Sequence, residues 1–266
     1  MKNLLFFLLT PLSLLAQNPV PGKPQTKPVA LVGGTVHVGT GQVIENGVVV
    51  FDNGLLKAVG NAQTSFDRVA TEVIDVTGKH VYPGLIAAAT TVGLTEIAAV
   101  RATDDHVETG QINPNVRALV AYSADSEIIP TVRGNGVLVA QAVPDGGVVT
   151  GQSSIFNLDG WNWEDAVLRT DDGIWLTYPP LFNRTGGGFE APAGLRKNDN
   201  RQPILSELDR TFADAKAYAE LKIPATPNLK LEAMRGLFDG SKTLFINVDY
   251  GRDIIEAVKF AQRMGV

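Results

Sequence analysis

The stretch "HVYPGLIAAATTVGL", residues 80–94, divides two textures of sequence. Before it, apolar and polar residues alternate in short runs. After Pro83-Gly84 the apolar runs become continuous and are separated by segments of helical spacing. A proline followed by a glycine interrupts regular structure, since the first lacks an N–H and the second turns freely. "LIAAAT", directly behind that break, is short, uninterrupted and apolar. It predicts a strand covered on both faces, as in a β/α array.

Upstream, "VALVGGTVHVG", "NGVVVF", "LLKAVG" and "TEVIDV" read as strands, with Asp52-Asn53-Gly54 as a tight hairpin turn. Residues 29–82 are therefore expected to form a small β-sandwich or open barrel. Downstream, "GVLVAQAV", "GIWLTY" and "KTLFINV" join "LIAAAT" as strands, while "PNVRALVAY", "ILSELDRTFADAKAYAEL", "LKLEAMRGLF" and "RDIIEAVKFAQRMG" carry helical spacing. Residues 83–266 are expected to form a partial β/α barrel, an α/β fold. The Gly/Pro-rich segment 179–203 is expected to be a long loop or mobile insertion. A closed eight-stranded barrel takes roughly 250 residues. Fewer follow Pro83, so the barrel is expected to be incomplete, truncated at its C-terminus.

At the other end, Lys2 followed by the apolar run to Ala16 has the n-region and h-region of a secretory signal, and is too short to span a bilayer comfortably. Residues 1–16 are expected to be a signal peptide and residues 17–28, with four prolines, a linker. The expected location is periplasmic or secreted, with no stable membrane anchor after signal cleavage. A net charge of −5 leaves no basic footprint for nucleic acid. The absence of cysteine excludes disulfides, zinc–thiolate sites and thiol nucleophiles.

Titratable chemistry is sparse. The three histidines are His37 in an alternating strand, His80 in the turn before "LIAAAT", and His106 in "TDDHVETG". None is paired at metal-ligand spacing. His106 with Asp104, Asp105 and Glu108 is the one acidic and imidazole cluster to test. "GGVVTGQS", residues 146–153, has the frame of a phosphate loop, but Gln152 stands in place of the lysine that would meet the phosphates. It is expected instead as a loop after a barrel strand, with Gln152 and Ser153 facing a ligand. "GWNWEDAVL" suggests a short helix capped by Asn162, with Trp161 and Trp163 as core or interface anchors. No Gly-x-Ser-x-Gly elbow occurs.

Taken in order, "VGGTVHVGTGQVIENGVVVFDNGLLKAVG", "EVIDVTGKHVYPGLI" and "INPNVRALVAYSADSEIIPTVRGNGVLVAQAVPDGGVVTGQSS" resemble the N-terminal part of an amidohydrolase-superfamily protein, of the imidazolonepropionase-like periplasmic kind. The likeness runs from Val29 to Ser154, with a weaker match from Leu229 to Val266. It implies a composite β-sandwich around a metal-dependent (β/α)8 barrel that hydrolyses C–N bonds other than peptide bonds, in cyclic amides or ureides, with zinc or another divalent metal in intact relatives. Such relatives carry His-x-His at the end of the first barrel strand. Alternate strand residues share a face, so two imidazoles there reach one metal at the barrel mouth. In this sequence Ala89 and Thr91 stand at those places, and Asn247 and Asp249 at a second pair after "LFI". Asp249 is alternatively a cap for the helix beginning near Arg252.

The expectation is therefore an amidohydrolase-like protein with a degenerate metal site. No cofactor is expected for this chain, and the vacated ligands tell against catalysis of its own. Its expected partner is a small-molecule amide. The alternative is a non-catalytic binding or scaffolding domain beside an intact amidohydrolase domain, or in a homo-oligomer.

Overall fold

The computed structural model describes residues 21–186 and 194–266. The signal segment expected at 1–16 and the start of the linker lie outside the described residues. The rest of the linker is held against the first sheet, because Gln25 Nε2 donates to Phe51 O at 3.1 Å and its Oε1 accepts from Asn53 N at 3.1 Å. No helix among the described residues is long and apolar enough to cross a membrane.

The first sheet contains β1 (Val29–His37), β2 (Val43–Asp52), β3 (Leu55–Gly60), β4 (Glu72–Asp75) and β5 (His80–Val81). Its order is β3-β2-β1-β4, with β5 also pairing with β1. The turn between β2 and β3 holds Asn53 at φ 49° and Gly54 at φ 73°, the two positive angles that a type I′ turn requires and that this pair adopts at little cost. One face buries Ala30, Val48 and Val50, with Phe66 packed over them. Leu55 and Leu56 remain 62% and 70% exposed, so among the described residues this is one sheet of the expected sandwich, without a second sheet over it.

The chain continues through β6 (Leu85–Thr90), α1 (Ala118–Ala121), α2 (Ile128–Gly134), β7 (Val137–Ala142), β8 (Val149–Asn157), α3 (Trp163–Ala166) and β9 (Val167–Thr177). Then come β10 (Phe182–Thr185), β11 (Gly194–Lys197), α4 (Arg201–Ala219), α5 (Leu229–Asp239), β12 (Thr243–Asn247) and α6 (Gly251–Met264). Strands β6 to β9 and β12 form a curled half-barrel sheet, ordered β12-β9-β8-β7-β6. The outer pairs β6·β7 and β9·β12 are parallel, but β7·β8 and β8·β9 are antiparallel. An antiparallel meander thus occupies the place where regular β/α alternation was expected.

Two further expectations change. "PNVRALVAY" yields only the single turn of α1. The segment 179–203 contains the antiparallel hairpin β10·β11 and the start of α4 rather than one long loop. The hairpin's approach is fixed by a nearly buried carboxylate. Asp253, 1% exposed, accepts from Leu181 N at 3.1 Å and from Arg201 at 3.2 Å, and Arg201 also meets Glu256 at 2.7 Å.

Helices α4, α5 and α6 lay Leu208, Phe212, Met234 and Phe260 on Ile174 and Leu176 of β9. On the other half, α1 and α2 place Leu119 and Ile129 on Ala140, Ala142 and Phe156. Tyr122 stacks on Phe156 with ring centroids 3.7 Å apart, and its hydroxyl is buried without a hydrogen-bond partner among the described residues. Burial pushes that phenol up to about 12. A phenol raised in the native state keeps its stabilising contribution below the unfolded value near 10 and loses it as pH climbs through the native value. Tyr122→Phe should leave stability at neutral pH unchanged or improved, since it removes an unpartnered hydroxyl. It should also spare the protein a loss of about 2–3 kcal/mol between pH ~10 and ~12. Urea denaturation of both proteins across that range measures the difference. Equal losses would mean that the native hydroxyl ionises freely.

Candidate functional site

Strand β6 does not end as a regular strand. Ala87 pairs with Ala140 and Thr90 with Ala142, so three steps on β6 match two on β7, and Ala89 takes the left-handed φ of 53°. Such a bulge re-aims the side chains beyond it. Simple alternation was the reason to expect Ala89 and Thr91 on one face, and the bulge interrupts it. Both residues nevertheless line one cleft of about 280 Å³, together with Asn247 at the end of β12 and with Asp145, Thr150 and Trp175. Three of the four positions singled out in the sequence therefore converge.

Asp249 does not line that cleft. It lies two residues past β12, where its charge acts on Arg184. Nor does it cap α6, whose N-cap residue is Tyr250, with no side-chain cap.

Trp175 is held by the strand next to β12. Its ring stacks on Phe245 at 4.8 Å and 12°, and Gly173, two residues earlier on β9, is what lets Phe245 come so near: a Cβ there would lie 2.4 Å from the Phe245 ring. Trp175 Nε1 and Thr150 Oγ1 are buried polar atoms without a hydrogen-bond partner among the described residues. A buried donor left unpaired costs about 1–3 kcal/mol. A molecule in the cleft that reached these atoms would recover that cost.

The donor set does not suit zinc. The cleft offers hydroxyls, the Asn247 amide and one carboxylate, and Asp145 already accepts from Gly146 N at 2.7 Å. Zinc prefers three or four imidazole, thiolate or carboxylate ligands. Among the described residues no group of three or more such side chains comes together. The chemistry available in this cleft is hydrogen bonding, from neutral groups and the one carboxylate.

Gln152 and Ser153 are not in a loop. They lie within β8, 4% and 0% exposed, and neither lines the cleft. Gln152 Oε1 accepts from Lys242 Nζ, and Ser153 Oγ donates to Asp172 Oδ1 at 2.7 Å. Gln141 Nε2 donates to the other Asp172 oxygen at 2.8 Å. The strand was missed because its polar run "TGQSS" is sustained by side-chain hydrogen bonds to neighbouring elements, without an apolar alternation to betray it. Burial lowers the Lys242 ammonium below its ordinary range.

Asp104 and His106 do form a pair: His106 Nδ1 meets Asp104 Oδ1, and Thr95 Oγ1 stands 3.0 Å from the same nitrogen. The hydrogen bond from His106 lowers the Asp104 carboxyl. Asp105, His106 and Glu108 line a second cleft of about 540 Å³ with Arg101 and Arg117. Arg117 is committed to Asp171 through a fork at 2.9 Å to both oxygens. Asn162 caps α3 as expected, accepting from Asp165 N at 2.8 Å, but Trp161 and Trp163 are exposed rather than core anchors. His37 and His80, unrelated by sequence spacing, stand with ring nitrogens 3.0 Å apart. The signal for it was the parallel pairing of "TVH" with "HV", which no local pattern reveals.

The sequence matches no family model and no curated protein. Among solved structures, an amidohydrolase from Thermotoga maritima MSB8 is similar over 89% of this chain, at 20% identity and a TM-score of 0.70. A prolidase-like protein from Bifidobacterium longum aligns over 89% of this chain and 53% of its own, at 15% identity and a TM-score of 0.35, too low to carry an argument. This chain spans 62% of the length of the Thermotoga protein. Its described residues have an amidohydrolase-type fold.

Proposed function

We propose that this chain is an amidohydrolase-like protein with a vacated metal site, which binds a small neutral amide or ureide by hydrogen bonding alone. The observation that carries the reading is the convergence of Ala89, Thr91 and Asn247 on one cleft whose lining includes the unpartnered Thr150 and Trp175. An amide suits that lining: a side-chain adjustment that uncovers the two buried atoms would let its carbonyl accept from the Trp175 N–H and its N–H donate to the Thr150 hydroxyl. The size of the cleft suits a single small ring. The chain needs no cofactor for this, whereas intact relatives hold zinc or another divalent metal. The resemblance to periplasmic amidohydrolases and the signal-like residues 1–16 support a periplasmic or secreted location.

A second reading is a scaffolding role beside an intact amidohydrolase domain or in a homo-oligomer. It is favoured by Ile86 on β6, 71% exposed, and by Ile254, Ile255 and Val258 on α6, all exposed. Exposed apolar side chains one helical turn apart, as Ile254 and Val258 are, commonly mark an interface when they form a patch, and Ile86 adds a separate exposed one on the edge strand β6.

Binding is tested by calorimetry with hydantoin and related cyclic amides, with and without a chelator. Micromolar to millimolar binding that ignores the chelator is expected, weakened about tenfold or more by Trp175→Phe, which removes one hydrogen bond to a buried site. Turnover that depends on added metal would sink the reading. Absence of binding together with stable self-association would favour the scaffold.

The vacated positions have their own test. Ala89→His, Thr91→His and Asn247→His together should gather three imidazoles at the cleft and raise affinity for cobalt above that of the parent, read from the visible bands of the bound ion. Hydrolysis need not follow, because no supporting shell or general base accompanies them. A folded triple variant with no gain would separate these positions from a former metal site.

A further inference from the structure

We propose that His37 and His80 form a two-imidazole site for a late first-row divalent cation, cupric ion above all, on the first sheet and apart from the strand-end cleft. The two residues come from adjacent parallel strands, with Thr35 opposite His80 and Val36 opposite Val81. The backbone at this place is pinned by Thr35 N donating to Lys79 O at 2.9 Å. His37 Nε2 and His80 Nδ1 stand 3.0 Å apart, and the His37 ring lies flat on Tyr82 at 4.2 Å and 10°.

That separation is what a metal requires. Imidazole nitrogens bind such cations at about 2.0–2.1 Å, so two in neighbouring positions stand ~2.9 Å apart at a right angle and ~3.4 Å apart at a tetrahedral one. The observed 3.0 Å lies at the right-angled end, which is the tetragonal geometry of Cu(II) and Ni(II). In the free pair one nitrogen donates to the other. On binding, the ring that donated moves its proton to its other nitrogen, and the two exposed rings turn from facing each other so that their lone pairs converge on the cation; no proton leaves the neutral pair.

No third histidine, cysteine or carboxylate joins them among the described residues, so water completes the shell and the cation exchanges readily. By the general order of affinities copper should bind more tightly than nickel or zinc. The consequence for the fold is mechanical. β5 leads through Pro83-Gly84 into β6, so a cation joining His80 to His37 clips the crossover between the two sheets to β1. A ligand that binds only the native state stabilises it.

The test titrates cupric ion into the full chain, free of any affinity tag. One equivalent should bind, its electron paramagnetic resonance spectrum should carry coupling from two imidazole nitrogens, and the melting temperature should rise. His37→Gln or His80→Gln should weaken binding at least tenfold, while His106→Gln should not. Should a variant fold poorly, the parent answers alone: bound copper should protect His37 and His80, but not His106, from carbethoxylation read by mass spectrometry. The proposal is overturned by a parent that binds no stoichiometric copper, by equal binding in the double glutamine variant, or by protection that falls elsewhere.

Discussion

The half-barrel depends on one carboxylate that it buries. Asp172 on β9 accepts from Ser153 on β8 and from Gln141 on β7, and all three residues are at least nine-tenths buried. A strand slipped by one residue turns its entire side-chain set to the opposite face. Here such a slip would strand a carboxylate and two polar donors in a closed interior, at a cost of several kcal/mol. An apolar meander has many nearly equivalent registers; in this one the observed register brings Ser153 and Gln141 to the two oxygens of Asp172. The registers of β7, β8 and β9 are fixed together, and the strand ends that line the cleft inherit their positions from them.

Backbone geometry and side-chain chemistry part company at the cleft. The parallel pairing of β12 with β9 and the bulge at Ala89 are features of the backbone, and they set the strand ends that form the mouth. A non-glycine residue at φ 53° costs of order 1 kcal/mol or more. The pairing on either side of the bulge sustains that conformation, and the mouth it shapes carries a methyl, a hydroxyl and an amide. The charge this cleft holds is small. Asp145, its one carboxylate, is already engaged by its own turn.

Where a strand or helix announces itself through apolar side chains, the sequence is legible. "LIAAAT" is β6, residue for residue, and "LKLEAMRGLF" lies within α5, whose N-cap Asn228 accepts from the backbone N–H of Lys230 and Leu231. The fold type followed from such segments and from the break at Pro83-Gly84. β8 was illegible because its interior is polar and its partners, Asp172 and Lys242, lie 19 and 90 residues away. Ala89, Thr91 and Asn247 line one cleft because they lie at or just beyond the ends of β6 and β12. Asp249 was misassigned because the chain leaves the sheet at Asn247, and beyond that residue alternation no longer governs direction.

The same reasoning explains why the junction between the sheets is so closely made. Gly84 has Leu138 of β7 against it, near enough that a Cβ would lie 2.5 Å from Leu138 Cδ1, and four residues earlier His80 is held by His37. A connection of three residues from Tyr82 to Gly84 can absorb little rotation, because proline fixes its own φ and restricts the residue before it. The position of β6, and with it of Ala89 and Thr91, is therefore set from two sides: by pairing to β7 within the half-barrel, and by β5 pairing to β1 in the first sheet. Any force that loosens or tightens β5 on β1 acts on the strand that ends at the cleft, through a linker too short and too stiff to dissipate it.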